Sequence, residues 1–186
     1  QIRLKQIGES INLLENLQQS PLSTELFTSH EALHLHYEQA LTREYQGNWY
    51  NLSTHFPWVG MRTAKTNSAH IEYLRGISNP VAIKVGPGMK ADELLQLIAT
   101  LNPLREQGKI TLISRFGVNN ISQSLPTLIK AINHSTQPVL WSCDPMHGNT
   151  RITNNGLKTR SIEAIKQELK LAFQLHQNNQ SHLGAV

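Results

Sequence analysis

One cysteine, Cys143, stands among 186 residues. An intramolecular disulfide is therefore excluded, and such sparing use fits a cytoplasmic protein. No apolar run approaches the roughly 18 residues that cross a bilayer. The first ten residues, QIRLKQIGES, lack the apolar stretch and small-residue cleavage site of a signal peptide, and they lack a start Met. The missing Met points to a piece of something longer. Lys and Arg form no run longer than two and no aromatic-interleaved basic stretch, so the net charge of +4 and pI near 9.3 do not argue for nucleic acid. Scattered cations suit small anionic substrates equally well. No G-x-G-x-x-G follows a strand, which removes the main dinucleotide signature, and no H-E-x-x-H is present.

What is there is enough for one domain with a core: 39% hydrophobic residues and a mean hydropathy of −0.35. Ile2, Leu4, Ile7, Ile11, Leu14 and Leu17 recur at helical spacing, which predicts an amphipathic helix over Gln1–Leu17. Thr24–Phe27 reads as a short strand. Thr28 and Glu31 have capping-box spacing and predict a helix from about Glu31 to Arg43, and Trp49–Phe56 reads as an aromatic-rich loop. Strands are expected at Pro57–Arg62, Val81–Gly86, Ile110–Arg115 and Val139–Asp144. Helices are expected from about Ser68 (capped by Asn67, stopped by Gly76), over Ala91–Leu101, over Ile121–Asn133 and over Ser161–Gln177. Strand starts 24 to 29 residues apart have the βα period of a parallel sheet. An open doubly wound sheet and a closed (β/α)8 barrel share that period. Four clear βα units and one uncertain one fall short of the eight in a full barrel. A barrel, if this is one, is present in part.

Alternation in Val81–Gly86 turns Val81, Ile83 and Val85 to one face and Lys84 to the other, toward a barrel centre or sheet crevice. A Lys there needs an anion. No carboxylate lies nearby in sequence, so a ligand anion is the favoured partner over a structural ion pair. Arg62 and Arg115 each close a strand. One such Arg alone reads as a solvated strand end, but three cations at neighbouring carboxyl ends mark the edge where parallel folds bind ligands. Guanidinium forks also match carboxylate and phosphate oxygens, so the set predicts a small, multiply charged anion. His147, in the loop after Val139–Asp144, faces the same edge. By itself it reads more readily as a polar loop residue than as a metal ligand. Asp144 could orient it, bind a substrate hydroxyl or start the Asp-Pro turn. Cys143 reads as a small buried residue. Lys158 and Arg160, just before the last helix, are candidates to hold a second phosphate.

Several segments carry a resemblance. They are Thr28-Ser29-His30-Glu31-Ala32-Leu33, Trp58–Thr63, Ala69-His70-Ile71-Glu72, Leu74-Arg75-Gly76-Ile77, Asn79-Pro80 with Lys84-Val85-Gly86-Pro87, and Leu112-Ile113-Ser114-Arg115. Cys143-Asp144-Pro145-Met146-His147-Gly148-Asn149-Thr150 and Lys158-Thr159-Arg160 complete the set. In this order and spacing the chain resembles class II (plant-type) 3-deoxy-D-arabino-heptulosonate 7-phosphate (DAHP) synthase over nearly its whole length. The resemblance implies an α/β fold, part of a (β/α)8 TIM barrel, with residues 1–186 as a single partial-barrel domain. It implies condensation of phosphoenolpyruvate with erythrose 4-phosphate, the first step of the shikimate pathway toward chorismate and aromatic amino acids. A divalent metal, manganese or else cobalt, is the implied cofactor, and the full-length enzyme is expected to be a homo-oligomer.

Carried over position by position, Arg62, Lys84 and Arg115 match residues that grip the phosphate and carboxylate of phosphoenolpyruvate. His147 matches one of four metal ligands, Lys158 a contact to the sugar phosphate, and Cys143 a cysteine that is not a ligand. Two departures stand out: Met61 replaces a Glu and Ala64 replaces an Arg of the family pattern. The family's other ligands, a Cys, a Glu and an Asp, fall outside these residues, so weak metal binding and an inactive isolated chain are expected. The alternative is a non-catalytic fragment, or a half-barrel that associates with another chain.

Overall fold

The computed structural model describes residues 26–186. The helix expected over Gln1–Leu17 lies outside them. A six-stranded parallel sheet forms the centre, from β1 (Ser29–Glu31), β4 (Phe56–Val59), β5 (Val81–Val85), β6 (Ile110–Ser114), β7 (Val139–Cys143) and β10 (Leu183–Ala185), adjacent in that order. Its neighbours pair in register, Trp58 with Ala82, Lys84 with Ile113 and Ile113 with Ser142. Helices α2 (Ala69–Arg75), α3 (Ala91–Leu101), α4 (Ile121–Ser135) and α5 (Ile162–Asn178) lie between successive strands. This is the βα alternation of part of a (β/α)8 barrel, and the sheet does not close among the described residues.

The core lies between sheet and helices. Val81, Ile83 and Val85 of β5 and Ile110 and Leu112 of β6 are fully or nearly fully buried against Leu94, Leu97 and Ile98 of α3 and Leu125 and Ile129 of α4. Burying such a side chain contributes about 1.5–3 kcal/mol, so these rows fix which sheet face meets the helices. The opposite face then carries Ala82, Lys84, Thr111, Ile113, Leu140 and Ser142, as strand alternation requires.

Several local expectations are corrected. Thr28 and Glu31 form no capping box. Thr28 bonds His55 Nδ1 through its N–H and hydroxyl, and Ser29–Glu31 pair with Phe56–Trp58 as β1. Pairing with a strand 27 residues away overrides a local helix signal. The helix expected from about Glu31 to Arg43 is only α1 (Leu35–Ala40). The expected aromatic loop is part of a hairpin, β2 (Thr42–Tyr45) with β3 (Asn48–Asn51). Ser68, not Asn67, caps α2, its hydroxyl accepting from Ile71 N–H at 3.2 Å. A second hairpin, β8 (Thr150–Ile152) with β9 (Lys158–Arg160), stands where a plain loop was expected. No helix of the described residues is long and apolar enough to cross a membrane.

Candidate active site

A cavity of about 530 Å³ opens where the parallel strands end. Every cation singled out from the sequence lines it: Arg62 after β4, Lys84 on β5, Arg115 after β6, and Lys158 and Arg160 on β9. His147 and Asp144, after β7, line it too. The register explains the convergence. Lys84 is level with Ile113, and Ile113 with Ser142. Two residues further along the same faces come Arg115 and Asp144. Their backbone N–H groups extend the ladder to Val85 and Ser114 carbonyls, both at 2.8 Å.

Asp144 is the hub. Its Oδ2 accepts from Lys84 Nζ at 2.8 Å and from His147 Nδ1 at 2.7 Å, while Oδ1 accepts the backbone N–H groups of Met146 and His147. Burial alone would raise its pKa. The Lys84 hydrogen bond and charge, with the two backbone donors, bring it down to about 2. The expectation that Lys84 lacks a carboxylate partner is therefore corrected. The partner comes from 60 residues later, two strands across the sheet. Lys84 also lies 4.9 Å above the Trp58 ring. Of the three roles open to Asp144, it orients His147 and starts the turn. With Nδ1 donating to Asp144, the neutral His147 ring keeps its lone pair on Nε2, and the side chain is 60% exposed.

Arg115 has no carboxylate partner among the described residues. Nη2 donates to the His147 carbonyl at 3.1 Å, and Nη1 lies 3.2 Å from the Met61 sulfur. Met61 thus puts a neutral thioether against the guanidinium and leaves the charge of Arg115 undiminished. Its sulfur also packs over Gly86, where a Cβ would collide with it. Ala64 is buried and offers no charge to the cavity. Arg160 Nε donates to the Met146 carbonyl at 3.0 Å, which brings hairpin β8–β9 against the His147 loop. Five cations face two carboxylates, Asp144 and Glu31. The arrangement suits a ligand with more than one anionic group.

Cys143 is buried facing the helices, and burial pushes its thiol up to about 12, so it stays protonated. Among the described residues no three His, Cys, Asp or Glu side chains converge as a metal-ligating group. His147 matches one ligand, and the described residues do not by themselves fit a divalent metal.

Sequence reasoning missed Glu31, Trp58 and Thr150 as lining residues. Alternation would have turned Trp58 inward with Lys84 had the strand ends been known. Glu31 was hidden by the misread helix. A profile of the class-II DAHP synthetase family matches residues 4–186. The chain belongs to that family. It is 43% identical over 188 residues to a phospho-2-dehydro-3-deoxyheptonate aldolase of Neurospora crassa, covering 91% of this chain and 39% of the relative. It is 48% identical over 157 residues to a probable chloroplastic phospho-2-dehydro-3-deoxyheptonate aldolase of Catharanthus roseus, covering 83% and 32%. With a phospho-2-dehydro-3-deoxyheptonate aldolase of Streptomyces coelicolor the identity is 40% over 187 residues, covering 98% and 42%. The chain therefore spans 32% to 42% of the length of these relatives.

Proposed function

We propose that this class-II DAHP synthetase chain supplies the phosphoenolpyruvate-holding side of a DAHP synthase. The whole enzyme would condense phosphoenolpyruvate, erythrose 4-phosphate and water to DAHP and inorganic phosphate. One observation carries the reading: Arg62, Lys84 and Arg115, on three consecutive strand ends, face one cavity with His147. Phosphoenolpyruvate carries its phosphate and its carboxylate on one carbon, C2, which suits cations spread over three strands. C3 of the enol attacks the aldehyde carbon of the sugar phosphate, water adds at C2, and the C2–O bond to phosphate breaks. Arg115 and Lys84 would hold the anions in line and stabilise the charge that gathers on the departing phosphate. Lys158 and Arg160, on the hairpin over the cavity, would take the phosphate of the sugar.

Manganese or cobalt belongs to the complete enzyme in this proposal. Of the described residues His147 alone would be a ligand to it, and no step is derived through the metal. A cytoplasmic location is part of the same reading, supported by the single, buried, reduced cysteine.

Titrating phosphoenolpyruvate into the chain at low salt, followed by calorimetry, tests the site. Saturable binding is expected, and Arg115→Met should weaken it about tenfold or more, as for a hydrogen bond to a charged group. Equal affinity of wild type and Arg115→Met would overturn the assignment. Sequencing the gene on both sides decides between readings. Flanking segments with further Cys, Glu and Asp donors support the synthase, and stop codons directly at both ends would favour a non-catalytic half-barrel.

A further inference from the structure

Beneath the cavity floor lies a carboxylate that the proposed chemistry does not use. Glu168, on α5, is fully buried. Its Oε1 accepts the backbone N–H groups of Phe116 at 3.0 Å and Gly117 at 2.8 Å, the two residues after Arg115. Its Oε2 accepts Asn149 Nδ2 at 2.6 Å, two residues after His147. Asn149 extends the link, with Oδ1 accepting Val118 N–H at 3.0 Å and Nδ2 also donating to the Pro145 carbonyl at 2.9 Å. At the same place Gly117 and Gly148 touch backbone to backbone, and a Cβ on either would collide with the other loop. Two loops that begin on different strands are thus held together by one side chain from a helix behind them.

Burial raises the Glu168 pKa against the three hydrogen bonds that lower it, so a carboxylate is a costly way to fill this core position, and an apolar side chain would pack α5 at least as well. The buried N–H donors of two strand-end loops give the carboxylate a use that packing does not. Lys109 makes an instructive contrast at the amino ends of the strands. Its Nζ donates to the Ile77 and Asn79 carbonyls at 2.6 and 2.7 Å, joining loops where no cavity cations gather. We propose that Glu168 is a positioning residue of the anion pocket: it fixes the loop after Arg115 to the loop after His147, and so sets how the two side chains face one another. The inference rests on the anion-pocket reading above and adds the residue that holds its geometry.

Donor and acceptor chemistry supplies the test. Glu168→Gln keeps an oxygen for Phe116 and Gly117 but turns an amide NH2 against the NH2 of Asn149. Asn149→Asp sets two carboxylates face to face. The double exchange restores a donor opposite an acceptor between the two side chains and forgoes the bond to the Pro145 carbonyl. Inorganic phosphate is the probe, titrated by calorimetry, with Lys109→Met as a variant that perturbs the far end of the strands. Each single exchange should weaken phosphate binding about tenfold, as for an outer residue that orients a ligand-holding one. The double should bind phosphate more tightly than either single variant. Lys109→Met should leave the affinity unchanged, whatever stability it loses.

Wild-type affinity in Glu168→Gln overturns the proposal, as does an equal loss of affinity in Lys109→Met at matched stability. If the single variants do not fold, the double decides, and a folded double without phosphate binding overturns the proposal. Should wild type itself not bind phosphate, the anion-pocket reading fails separately. The clamp is then read from the His147 Nδ1 proton resonance, which Glu168→Gln must shift and Lys109→Met must not. An unmoved resonance in Glu168→Gln rejects the clamp.

Discussion

At the scale of single residues the most consequential group is Asp144, because it neutralises one cation and aims the imidazole beside it. Its pKa is about 2 in the folded chain against 3.8 unperturbed. The lowered value means that Asp144 stabilises the fold fully above about pH 4 and loses that contribution as pH falls toward 2. The side chain is 11% exposed, so little solvent screening applies, and the shift corresponds to about 2 kcal/mol. Asp144→Asn should therefore lower stability by about that amount at pH 7, measured by urea denaturation. The gap to wild type should close between pH 4 and 2, and a gap that persists at pH 2 would assign the loss to packing instead. Strand alternation and the motif around Asp144-Pro145 made Lys84, Arg115 and His147 legible as one set. The Lys84–Asp144 pair was not legible, because its partners lie 60 residues apart. Glu168 had a faint signal: Ala164, Glu168, Ala172 and His176 repeat every fourth residue and share one buried stripe of α5. A carboxylate in such a stripe announces a partner without naming it.

Among the elements, α3 and the strands β5, β6 and β7 were readable to within a residue or so, since their apolar rows are long enough to show a period. Three-residue strands such as β1, β8, β9 and β10 show none. Hairpin β8–β9 is exposed throughout except for partial cover of Arg160, and its turn passes through Gly156 at φ +77°. A side chain there must adopt the left-handed region, at a cost of about 1 kcal/mol. Because the hairpin buries almost nothing, that cost should fall on local opening and not on global unfolding. Gly156→Ala is expected to speed hydrogen exchange of the amides in residues 150–160, followed by mass spectrometry, while the urea midpoint stays where it was. A lowered midpoint with unchanged exchange would show that the hairpin unfolds only with the sheet. Lys158 and Arg160 would then sit on a rigid element and not on a flap over the cavity.

For the molecule as a whole, the βα period left an open doubly wound sheet and a barrel both open and the family resemblance implied a partial barrel, with which the lengths agree, since the chain spans 32% to 42% of its relatives. What the period could not convey is the condition of the inner sheet face. Thr111, Ile113, Leu140 and Ser142 line a mostly apolar groove of about 690 Å³, and Leu140 is 44% exposed. Strands β1 and β10 each have a neighbour on one side only among the described residues. In a closed barrel such a face is filled by side chains from the facing strands. Among the described residues it presents apolar surface beside two free edges, a combination that favours association. Sedimentation velocity at rising concentration should therefore show reversible self-association of the chain. Leu140→Lys, which places a charge on the groove and leaves the helix-facing core untouched, should shift the distribution toward monomer. A wild-type chain that stays monomeric across the concentration range would mean that the groove is covered from within, and would remove the half-barrel reading's claim to a partner.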